Sequence, residues 1–79
     1  MQKTRHIIRL FSEYAVIIKP IYFDETDQSF MQDTILVHGK NRKQLKRQTF
    51  LAPVTTTSLR EFYLNYLIEA KNENQILNN

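Results

Sequence analysis

The chain reads as an α+β domain: an antiparallel meander of three strands, or four, followed by an amphipathic helix on one face of the sheet, with a short N-terminal helix. Three observations predict this. Residues 14–23 are dense in aromatic and β-branched side chains, residues 29–38 put Met31, Ile35 and Val37 on one face ahead of a turn at the lone glycine, and residues 58–71 repeat apolar positions at helical spacing. At 79 residues there is room for one core and one domain, assigned to 1–71, with 72–79 a polar, fraying tail.

Ile7, Leu10, Phe11 and Tyr14 stand at i, i+3, i+4 and i+7, which favours a helix over residues 4–14. The competing reading is a strand, since Ile7, Ile8 and Phe11 also suit a pleated surface, and no capping box decides between them. If 4–11 is a strand, the sheet has four strands and the fold class stands. Tyr14 to Phe23 has strand composition, interrupted by Pro20, which cannot donate to a ladder. Asp24-Glu25-Thr26-Asp27-Gln28 is a polar connection. A second strand runs from about Ser29 to His38, Gly39-Lys40-Asn41 supplies a turn, and Leu45 to Leu51 is the third strand.

Ser58-Leu59-Arg60-Glu61 matches a capping box at the start of the last helix. Leu59, Phe62, Tyr63, Tyr66, Leu67 and Ala70 form its apolar stripe, and the helix is expected to fray near Asn72. Leu64 and Ile68 fall off that stripe. A small sheet needs only the stripe, so this pair predicts a protein interface, with a homodimer as the first expectation.

Several functional classes are disfavoured. No cysteine is present, which rules out thiolate metal sites and thiol catalysis and fits a reducing, cytoplasmic setting. The longest apolar run, Ala15 to Ile18, is far too short for a bilayer, and Glu61, Glu69 and Glu73 outnumber Arg60 and Lys71 on the helix, so no membrane role is expected. His6 and His38 match no metal-ligand spacing, and the acidic turn lacks the glycine and later glutamate of a calcium loop. With one glycine there is no phosphate-cradling loop of the nucleotide-binding kind. The expectation is a non-enzymatic protein with no cofactor, no metal and no small-molecule substrate.

The positive signal is charge. Net charge is +3, and residues 40–47 hold Lys40, Arg42, Lys43, Lys46 and Arg47 without an intervening acid. Such a cluster neutralises phosphates and releases their counterions, so nucleic-acid backbone is the expected partner of a small regulator or accessory factor. The competing reading is a solvated tip that keeps the edge strand from pairing. Arg5 and Arg9 extend the patch if the first element lies beside this turn. Phe30 and Phe50 are stacking candidates, though aromatics at such spacings more often fill a core. The alternative function is a protein-binding module or inhibitor that uses Leu64 and Ile68 or a free sheet edge.

Overall fold

The computed structural model describes the backbone of residues 6–77 and the side chains of residues 6–72. Strands β1 (His6–Arg9), β2 (Tyr14–Ile18), β3 (Tyr22–Asp24), β4 (Ser29–His38) and β5 (Lys43–Leu51) precede helix α1 (Thr56–Leu77). All pairings are antiparallel. β4 pairs with β2 along Thr34–His38 and with β3 along Ser29–Met31, so β2 and β3 lie end to end on one side of it. β5 takes its other side. The sheet is therefore a four-lane meander with its second lane broken at Pro20, where the ring removes the donor a ladder needs.

The N-terminal helix does not form. Residues 6–9 are a strand, and only a 3₁₀ turn at Phe11–Glu13 is helical in any sense. Periodicity misled because Leu10 and Tyr14 pack on the core whereas Phe11, from the same supposed stripe, is 84% exposed. The adjacent β-branched Ile7 and Ile8 instead face opposite sides of the sheet, next to Ile17 and Val16 respectively. The class survives as the four-lane alternative.

Two clusters share the sheet. On the helix side Val16, Ile18, Leu36 and Phe62 are buried, with Leu10, Tyr14, Leu45, Phe50, Leu59, Tyr63 and Tyr66 packed around them. Phe62 meets Phe50 edge-on at 5.8 Å between centroids. On the opposite side Ala15, Ile17 and Val37 form a second buried set with Ile35 against it. Buried polar groups are matched: Gln32 donates to the Lys19 carbonyl at 3.1 Å and accepts from the Val54 N–H at 2.9 Å, while Thr34 donates to the Gln48 carbonyl at 2.9 Å. A β-bulge shifts the register between Leu36 and Val37, so that Leu45 and Lys46 both turn toward the helix.

α1 begins a turn earlier than the capping box implied. Thr55 is the cap: its Oγ1 accepts from the Ser58 N–H at 3.1 Å, and its carbonyl accepts from the Leu59 N–H at 3.0 Å. The helical backbone also continues to Leu77, past the expected fraying point at Asn72, because neither glycine nor proline stops it. Among the described residues no helix is long and apolar enough to cross a membrane.

Candidate nucleic-acid interface

Strand alternation divides the basic run. Successive residues of a strand face opposite sides, and β5 begins at Lys43, so neighbouring cations cannot all share one surface. Lys46 turns to the helix side, where its ammonium lies 3.1 Å from a Glu69 carboxylate oxygen and 5.8 Å from the Phe62 ring centroid. Arg47 stands on the other side, 3.5 Å from Asp33. These two are the only ion pairs among the described residues. Lys43 is exposed at the start of the strand, opposite His38. The eight-residue run is thus not a single cationic surface: Lys46 and Arg47 are matched by carboxylates on opposite sides of the sheet.

What the fold does gather is a different set. Lys40 and Arg42 meet Arg9 around a cleft of about 390 Å³, whose lining also includes Glu13, Tyr14, Ala15 and Val37. Ala15 and Val37 belong to the cluster on the side away from the helix, so they give the cleft an apolar floor. Three cations against one carboxylate rim it. Arg9, Lys40 and Arg42 are all exposed.

Two turns build this end of the molecule. In the first, residues 11–13 connect β1 to β2, with the Leu10 N–H donating to the Tyr14 carbonyl at 2.7 Å. In the second, residues 39–42 close on the bond from the Arg42 N–H to the Gly39 carbonyl, 3.1 Å. The Gly39 N–H donates to the Glu13 carbonyl at 3.0 Å, and His38 Nε2 lies 3.0 Å from the Ser12 carbonyl. The His38 ring is held at 4.3 Å from Tyr14, which in turn packs edge-on against Tyr63 and Tyr66.

The backbone here is unusual. Ser12 (φ 58°), Glu13 (φ 64°), Gly39 (φ 83°) and Arg42 (φ 51°) are all left-handed, and among the described residues only Gln28 joins them, in the turn between β3 and β4 at the far end. A left-handed side-chain-bearing residue costs roughly 1–2 kcal/mol, and two of them, Glu13 and Arg42, line the cationic cleft.

Asp33 anchors the other half of the open side. It accepts from Thr49 at 2.6 Å and Tyr22 at 3.3 Å, besides its contact with Arg47. The Thr49 hydrogen bond, then those of Tyr22 and Arg47 with the guanidinium's charge, outweigh burial and hold its carboxyl below the usual range.

Of the sequence-selected residues, then, Lys40 and Arg42 come together, Lys43 stands near them in sequence, and Lys46 and Arg47 are drawn elsewhere. Arg9 joins the patch as a strand residue, while Arg5 lies outside the described residues. Phe50 packs on the core, and Phe30 pairs with Phe23 at 5.1 Å in the β3–β4 hairpin. The turn at residues 10–13 escaped sequence reasoning because Leu10-Phe11-Ser12-Glu13 contains no glycine, asparagine or proline to signal a hairpin. Leu64 and Ile68 are 46% and 57% exposed. Among the described residues no cluster of three metal-ligating side chains occurs. Compared with protein families, with curated proteins and with solved structures, this chain matches none.

Proposed function

We propose that this protein is a non-enzymatic, cytoplasmic nucleic-acid-associated factor that grips the phosphate backbone at the cleft between its 11–13 and 39–42 turns. The observation that carries the reading is the convergence of Arg9, Lys40 and Arg42 on one cleft with Glu13 as its single carboxylate. Guanidinium groups fork onto phosphate oxygens, and an ammonium adds a mobile point charge. Lys43, exposed and next to Arg42 in the chain, is the fourth phosphate contact in this reading. Contacts of this kind give affinity and positioning rather than sequence reading. A non-catalytic role is favoured because the cleft lining pairs no nucleophile with a base: His38 is not among its residues and points to the Ser12 carbonyl.

The test is the affinity for a labelled mixed-sequence oligonucleotide, by anisotropy, between 50 and 200 mM salt. Three or four phosphate contacts predict a fall of about 20- to 150-fold over that range. Weak, salt-independent binding would remove the basis for the assignment.

A second reading concerns the helix. Leu64 and Ile68 lie about 200° and 240° around α1 from the buried Phe62, facing away from the sheet. Their exposure supports a protein interface, with a homodimer as its simplest form. Light scattering would then give twice the 9.5 kDa chain mass, and Leu64→Lys would halve it. A parent that is monomeric at high concentration would end the homodimer form of this reading.

A further inference from the structure

We infer that the cleft takes single-stranded nucleic acid, DNA or RNA, with an unpaired base stacked on Phe11 while its phosphates lie against Arg9, Lys40 and Arg42. This rests on the reading of the cleft as a phosphate site and adds the class of strand it accepts.

Phe11 is 84% exposed, more than any other large apolar side chain among the described residues. Full burial of such a ring is worth roughly 1.5–3 kcal/mol, and the fold takes almost none of it. Nor does Phe11 stack on another aromatic ring among the described residues, unlike Phe23, Phe30, Phe50 and Phe62. Its position is not that of a slack loop. It opens a three-residue turn held by the Leu10–Tyr14, Ser12–His38 and Glu13–Gly39 hydrogen bonds. The two residues after it are fixed in left-handed geometry. Leu10, Glu13 and Tyr14 of the same segment line the cationic cleft. Phe11 itself does not line the cleft, but its neighbour Leu10 and the nearby Glu13 do, so its ring stands on a rigid turn at the cleft's border and loses little conformational entropy when a flat ligand covers it.

The geometry also selects the strand. Base edges of a duplex are reached by a helix or ribbon that projects into a groove. The cationic surface here is a cleft, and a stacked base in a duplex offers no free face to a ring. An unpaired strand offers both a free face and a flexible backbone that can follow a cleft.

The decisive variants are Phe11→Ala and Phe11→Trp, measured against a 12-nucleotide DNA strand, its RNA counterpart and the matching duplex. Phe11→Ala should lower single-strand affinity about 5- to 150-fold, leave the salt slope unchanged and leave duplex binding as it was. Phe11→Trp should retain affinity, and its emission should be quenched by the bound strand. Thermal melts of both variants should match the parent, since the ring is outside the core. If Phe11→Ala binds single strands as the parent does while Arg42→Ala is weakened, stacking is overturned and the phosphate site stands. If neither variant changes binding, both fail. A parent that prefers duplex, or a Phe11→Trp variant whose emission ignores the strand, overturns the inference as well.

Discussion

Gly39 donates its backbone N–H to the Glu13 carbonyl at 3.0 Å, fastening a turn between β4 and β5 to one between β1 and β2. The bond sets the distance between Lys40 and Arg42 on one turn and Arg9 beside the other. Gly39 has a φ of +83°, and a Cβ there would meet no atom within 4 Å. Any cost of Gly39→Ala is therefore backbone strain alone, about 1 kcal/mol. The melting temperature should drop by about 4–8 °C for a domain of this size. An unchanged melt would show that the left-handed turn is not enforced.

Arg42 makes the complementary case. It too is left-handed, at φ 51°. Arg42→Gly removes that strain, about 1 kcal/mol, and adds chain entropy to the unfolded state, about 0.5–1 kcal/mol, so stability should barely move. Binding should still weaken, with the salt slope reduced by about 1. Urea melts and salt titrations of the same variant check both halves. A loss of stability matching that of Gly39→Ala would contradict the backbone argument.

The fold was legible where pattern and chemistry agree. β4 was readable from Ser29 to His38 because Met31, Ile35 and Val37 share one face and Gly39 ends the run, although polar Gln32 and Thr34 are buried on the other, and the helix stripe through Phe62 and Tyr66 was readable from its spacing. The break at Pro20 followed from the missing donor. The first hairpin was hidden, because its left-handed residues are Ser12 and Glu13 rather than glycine or asparagine. The candidate site was half legible. Lys40 and Arg42 stand out in sequence, but Arg9 enters only through the β1–β2 register, where it lies opposite Ala15. Lys46 and Arg47 looked equivalent to them until the strand placed Glu69 and Asp33 alongside.

Asp33 should make stability depend on acid. Its folded-state pKa lies below the ordinary value of about 3.9, so the unfolded chain binds the proton more readily. The stabilisation is complete above that ordinary value and is lost as pH falls through the folded pKa. Asp33→Asn should therefore melt below the parent at pH 7, and the gap should narrow progressively as pH falls below about 4. A gap that stays constant down to pH 2 would contradict the assignment.

Phe62 joins helix to sheet. It is 1% exposed and packs on Val16, Ile18, Leu36 and Phe50. Phe62→Ala should cost about 3–5 kcal/mol, a large share of what a small domain possesses. Denaturant titration followed by circular dichroism should show a midpoint near zero denaturant. A cooperative, near-parental transition would mean that α1 does not depend on this ring.

The most direct measurement compares two cation sets by salt titration against a single strand. Arg9→Ala/Lys40→Ala/Arg42→Ala removes the cleft, whereas Lys46→Ala/Arg47→Ala removes the two cations already matched by Glu69 and Asp33. Losing three phosphate contacts should flatten the logarithmic salt slope by about 2, and the double variant should keep the parental slope within about 0.5. Equal flattening in both, or the larger effect in the double variant, would contradict the cleft as the seat of binding.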